Sequence, residues 1–108
     1  MLTGETMMKI ATERAERCLK VRLIGELDHH GAKGLMEQLE REIEVSLPLR
    51  MVLDFQNVTF MDSSGIAVVI RMREKMRQMG GSLCLQQIKS QPGKVFEAAG
   101  ISRFVEIE

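Results

Sequence analysis

Apolar positions change their period several times along the chain, and each change predicts a new element. Leu19, Val21 and Leu23 alternate with Cys18, Lys20 and Arg22, which is the pattern of a strand with one buried face, over residues 18–24. Residues 8–12 predict an edge strand before it. Residues 13–17 are polar and read as the turn of a hairpin. From Ala32 the spacing becomes three and four. Ala32, Leu35, Met36, Leu39 and Ile43 make one stripe, with Lys33, Glu37, Gln38, Arg41 and Glu42 on the other side, so an amphipathic helix is predicted. Pro48 closes that helix region. Residues 49–55 are apolar enough for a central strand covered on both faces. Ile66, Val69, Ile70, Met76 and Met79, widened by Val68 and Met72, predict a second, well-buried helix. Gly80-Gly81 ends it, because glycine tolerates the left-handed turn after a helix. Residues 82–85 read as a short buried strand. Pro92 and Gly100 bracket a third helix containing Val95, Phe96, Ala98 and Ala99, and residues 104–107 make a last strand. Residues 1–7 carry little pattern. They are expected to be a flexible extension to a domain over residues 8–108.

The predicted order is strand, strand, helix, strand, helix, strand, helix, strand. Strands alternating with helices imply an α/β domain with a mostly parallel sheet and right-handed crossovers; the N-terminal hairpin makes that sheet mixed. In such open sheets the functional crevice lies beyond the carboxyl ends of the strands. Two predicted loops occupy that position, residues 25–30 and residues 60–65. They bring Glu26, Asp28 and Ser63 to one end of the domain. Within the second loop, Asp62-Ser63-Ser64-Gly65 lies where a strand must become a helix. Asp and Ser are preferred N-cap residues, since their side-chain oxygens accept free amides of the first turn. A helix N-terminus also favours bound anions. The plain reading is that Asp62 or Ser63 caps the helix. The functional reading is a serine hydroxyl presented beside a carboxylate at an anion-friendly helix start.

Composition narrows the chemistry. A chain of 108 residues makes one domain, and 44% hydrophobic with 28% charged residues describes a soluble globular protein. Fifteen basic and fifteen acidic residues cancel without any block of like charge. Nucleic acid demands a concentrated basic field, so direct DNA or RNA binding is not expected. No apolar run approaches a membrane span, and no signal peptide precedes the domain, so the expected location is the cytoplasm. Cys18 and Cys84 are far apart and read as free thiols, with neither metal nor redox spacing. A serine hydrolase would need glycine two places either side of its nucleophile. Ser63 has Met61 before it and Gly65 after it, and Ser64 fails on both sides. His29 and His30 are adjacent, so their side chains diverge, and no further ligand lies at metal spacing. There is no phosphate-binding glycine loop with lysine. No enzyme activity, metal or cofactor is expected.

Gly25-Glu26-Leu27-Asp28-His29-His30, followed by Met61-Asp62-Ser63-Ser64-Gly65 and then Gly80-Gly81, resembles the STAS-domain anti-sigma factor antagonists of spore-forming bacteria. The resemblance runs from about residue 8 to residue 108 and is nearer the sporulation branch than the general-stress branch. It implies that Ser63, the first serine after the aspartate, is a regulatory phosphoserine, with Ser64 supporting the turn. Glu26 and Asp28 are implied to contact the partner, with Asp62, Ser63, Ser64 and Gly65 completing the binding surface. The implied partner is an anti-sigma factor that is itself a serine kinase and holds a sigma factor inactive. The unmodified antagonist displaces the sigma factor, the kinase phosphorylates the antagonist, and a serine phosphatase restores it. A monomer is expected. So is a weakened complex, on an intact fold, in Asp28→Ala. The rival reading is a constitutive STAS scaffold, in which the serine is only a cap.

Overall fold

In the computed structural model, which describes residues 8–108, the alternating stretch forms the hairpin that its pattern predicts. Strand β1 (Lys9–Ala15) runs antiparallel to β2 (Cys18–Leu27). Glu16 and Arg17 turn the chain with φ of 50° and 66°, the left-handed geometry whose twist matches paired strands. Both strands outrun their predicted bounds. Gly25 and Glu26 therefore belong to β2 and not to a loop, which corrects the placement of Glu26.

Helix α1 (His29–Ser46) buries Ala32, Leu35, Leu39 and Ile43, with Met36 packed at the edge of the core. It ends at Leu47, which sits in the left-handed region at φ 47° and donates its N–H to Ile43 O at 2.8 Å. The Leu47 side chain is 56% exposed, so it recovers little of the steric cost of that conformation. Leu47→Gly is expected to raise stability by about 0.5–1 kcal/mol, glycine being the preferred residue there. Calorimetry should register a Tm roughly 2–6 °C higher.

The remaining elements are β3 (Arg50–Met61), α2 (Ser64–Gln78), β4 (Ser82–Gln86), α3 (Ser90–Ala99), a 3₁₀ turn (Ile101–Arg103) and β5 (Glu106–Ile107). Among the described residues the strands form one five-stranded sheet in the order β1-β2-β3-β4-β5, parallel at every pairing after the first. From the helices Leu39, Met72 and Phe96 enter a single core, where the strands contribute Leu19, Val21, Met51, Leu53, Phe55 and Leu85. Phe55 and Phe96 meet edge to face, with ring centroids 5.3 Å apart.

Met51, Leu53 and Phe55 face the helices, so the pleat turns Val52 and Asp54 to the opposite face. Among the described residues no helix core lies on that face, so the burial expected on both sides of this central strand is supplied there by neighbouring side chains. Val52 and Asp54 are buried there, and Arg22 reaches across from β2 to Asp54 at 3.4 Å. Ile70 is a second correction. Its apolar character assigns it to the buried stripe of α2, yet it is 51% exposed, because Val68, Val69, Met72 and Met76 define a narrower arc. The last strand is also shorter than predicted, since the 3₁₀ turn takes up the chain before it. Phe104 lies outside β5, where Arg73 stacks on its ring and donates to its carbonyl at 2.8 Å. Gly80 and Gly100 do adopt the left-handed geometry expected of them, at φ 76° and 67°. Among the described residues, no helix is long and apolar enough to cross a membrane. The extension assigned to residues 1–7 lies outside the described residues.

Candidate functional site

Among the described residues, strands β2 and β3 run on past the rest of the sheet. β3 pairs with β4 only as far as Asp54↔Gln86, whereas β2 accompanies it to Leu27↔Met61. Two irregularities make this possible. Asp54 to Asn57 opposes Arg22 to Ile24, and Val58 to Phe60 opposes Gly25 to Glu26, so β3 carries an extra residue each time. The Asp54 carboxylate accepts the Gln56 N–H at 2.8 Å and holds the first bulge. Gly25 lies at the second with φ 119°. Beyond Phe55 the inward residues are therefore Val58 and Met61, while Gln56, Asn57, Thr59 and Phe60 are exposed. The strand expected to stop at residue 55 thus continues to Met61.

At its end the chain turns into α2. The Asp62 N–H donates to Leu27 O at 3.2 Å, and the Asp62 carboxylate accepts the Ser64 N–H at 2.8 Å. The Gly65 N–H donates to Asp62 O and the Ile66 N–H to Ser63 O, both at 3.0 Å. Of the two candidate caps, Asp62 takes the role. Ser63 is exposed and its side chain makes no capping hydrogen bond. Ser64 is half-buried and lines, with His29, Met36 and Arg71, a cleft of about 420 Å³ between α1 and α2. Gly65 is buried, and a Cβ there would collide with Met61 Sδ and lie 3.2 Å from Leu27 Cδ2.

The pairing of Leu27 with Met61 lays Glu26 to Asp28 beside Phe60 to Ser63, so the predicted residues do share one end. Glu26 is the strand partner of Phe60, an apolar side chain left 43% exposed. Asp28 has a structural role as the N-cap of α1, where its carboxylate accepts the Gly31 N–H at 2.9 Å. Asp28→Ala therefore also removes a helix cap, at a cost of about 1 kcal/mol, so its effect on binding is mixed with one on stability. Asp28→Asn keeps the cap and removes the charge. It is expected to melt within about 0.5 kcal/mol of the parent while still weakening partner binding, as thermal melts paired with calorimetric titration would measure.

Gln91, near the start of α3, also reaches this end of the domain. Its Oε1 accepts the Met61 N–H at 2.8 Å and its Nε2 donates to Met61 O at 2.7 Å. Nothing in the local sequence distinguishes it from any polar residue opening a helix. Phe60 is hidden from sequence reasoning for another reason, because only the bulges turn it outward.

The two histidine rings are exposed and their centroids lie 5.9 Å apart at 66°. Cys84, Glu106 and Glu108 bring a sulfur and two carboxylates within 4.8 Å at the β4–β5 edge. There Arg50 lies 3.5 Å from Glu106 and 3.3 Å from Glu108, supplying a cation between them. Burial, followed by the charges of Glu108 and Glu106, pushes the Cys84 thiol up from its ordinary value.

Known proteins are similar to this chain in sequence and in fold. The chain is 29% identical to the anti-sigma F factor antagonist of Paenibacillus polymyxa, over 93% of this chain and 86% of that protein. It is 30% identical to the anti-sigma-B factor antagonist of Listeria monocytogenes serovar 1/2a, over 94% and 90%. The solved structure of the anti-sigma factor antagonist SpoIIAA in its unphosphorylated form superposes with a TM-score of 0.78 at 25% identity, over 93% of this chain and 88% of that one. The STAS domain profile matches residues 9–108, and the chain belongs to the STAS domain family.

Proposed function

We propose that this chain is an anti-sigma factor antagonist controlled by phosphorylation of Ser63. The observation that carries the reading is the exposed Ser63 side chain, left out of helix capping because Asp62 takes that role. The names of its relatives support the antagonist function. In this reading the unmodified protein binds an anti-sigma factor serine kinase and releases the sigma factor. The kinase then modifies Ser63, and a serine phosphatase reverses the change. In this reading Glu26, Asp28, Asp62, Ser64 and Gly65 form the partner-binding surface with the acceptor, and Phe60 adds an apolar contact. Relatives of both the sigma F and sigma B systems match at similar identity, so the sporulation assignment rests on the Gly25 to His30 segment.

The scaffold reading requires Ser63 to serve only as a cap, and the hydrogen bond from Ser64 N–H to Asp62 removes that need. The test is to incubate the protein with an anti-sigma factor kinase and ATP and to locate phosphate by mass spectrometry. Ser63→Ala is expected to bind the kinase and accept no phosphate. Phosphate found on Ser64 alone would move the switch by one residue and overturn the assignment.

A further inference from the structure

Met61 presents its N–H and C=O on the flank of β3 where β4 has already ended, while β2 occupies the other flank. In a parallel sheet both groups would pair with the next strand. Here the planar side-chain amide of Gln91 replaces that strand, its oxygen 2.8 Å from Met61 N and its nitrogen 2.7 Å from Met61 O. Met61 is fully buried while Gln91 is exposed, so without Gln91 both backbone groups would lose their protein partner and be left to solvent. The next residue is Asp62, whose carboxylate orders the start of α2, and the one after is Ser63. A rigid chain of contacts therefore runs from α3 to the phosphoacceptor.

We propose that Gln91 is a positioning residue for Ser63, fixing the end of β3 so that the hydroxyl is presented in one orientation to the kinase. The inference rests on the Ser63 reading for its function, but its structural part is testable without a kinase. An amide and a protonated carboxylic acid share the same donor–acceptor pattern, whereas a carboxylate has acceptors only. Q91E should therefore lose the bond to Met61 O at neutral pH and regain it as the new carboxyl protonates, at roughly pH 4–5.

The experiment combines amide exchange and kinetics on the full chain. In Q91L, the Met61 amide is expected to exchange about tenfold faster, the scale of one lost hydrogen bond, with Ser64 and Gly65 following. In Q91E, the same amide signals should move back toward the parent positions on acidification, which a purely steric defect would not do. With the anti-sigma factor kinase that modifies the parent chain, Q91L should lower kcat about tenfold with KM within about twofold, because docking survives while orientation is lost. Unchanged exchange at Met61, or absence of the acid-dependent return in Q91E, would overturn the positioning role. So would unchanged kcat. A parent chain that no kinase modifies on Ser63 would sink the functional reading instead, leaving the exchange results to decide the structural one.

Discussion

Phosphorylation of Ser63 is expected to weaken binding to the anti-sigma factor kinase by at least about thirtyfold while leaving the fold unchanged. A phosphoserine adds about −1.5 to −2 charges at neutral pH. The amides that follow Ser63 at the helix start are already used: Ser64 N–H by the Asp62 carboxylate, Gly65 N–H by Asp62 O and Ile66 N–H by Ser63 O. The phosphate therefore remains solvated, and the helix dipole offsets the repulsion from Asp62 by only about 0.3–1 kcal/mol. Within a complex the same group must be desolvated against an acidic surface that includes Glu26 and Asp28. Disrupting a buried charged contact costs about 2–5 kcal/mol, and each 1.4 kcal/mol is about tenfold in affinity. Calorimetric titration of the two forms measures the loss. Amide spectra should differ only near Ser63 and the end of β2, and Ser63→Asp should reproduce part of the effect. Shifts spread across the sheet, or full binding by the phosphoprotein, would exclude a local block.

Gly65→Ala is expected to destabilise the domain by about 1–3 kcal/mol in urea denaturation, despite the better helix propensity of alanine. The added methyl would strike Met61 Sδ and Cγ, which lie in the middle of that side chain and not at its free end. Met61 is fully buried, and Gln91 bonds both its N–H and its C=O, so neither side chain nor strand can withdraw cheaply. Gly34 is the control. It lies within α1 with nothing within 4 Å of a built Cβ, so Gly34→Ala should stabilise by about 0.5–1 kcal/mol. Equal destabilisation by both changes would remove the role of packing at Gly65.

The body of the fold is readable wherever the burial pattern keeps one period. Leu19, Val21 and Leu23 alternate without interruption, and Leu35, Leu39 and Ile43 repeat at helical spacing, so the buried faces of both elements follow from the residues alone. The upper half of β3 is not readable, because its bulges convert a period of two into a period near three. Gln56 and Asn57 then look like the end of a strand when they are its bend. Asp62 and Ser63 can be located from their residue types, but the division of labour between them depends on backbone geometry that no residue type specifies. Gln91 is further still from local reading, since it acts on a residue thirty positions away. Ile70 shows the reverse error, an apolar residue assigned to the core on character alone.

The two-stranded extension of β2 and β3 divides the domain into unequal mechanical parts. Below Asp54 each strand of the pair has a neighbour on its outer flank; above it, among the described residues, β3 has β2 as its strand partner and its last residue is held by one glutamine. Proteins open in cooperative units of different free energy, and a narrow projection can open without breaking the body that bears it. Substitutions in the lower sheet would then alter the lifetime of the molecule, whereas those in the projection would alter its readiness to engage. Drift in the first and tuning in the second can proceed on separate evolutionary schedules.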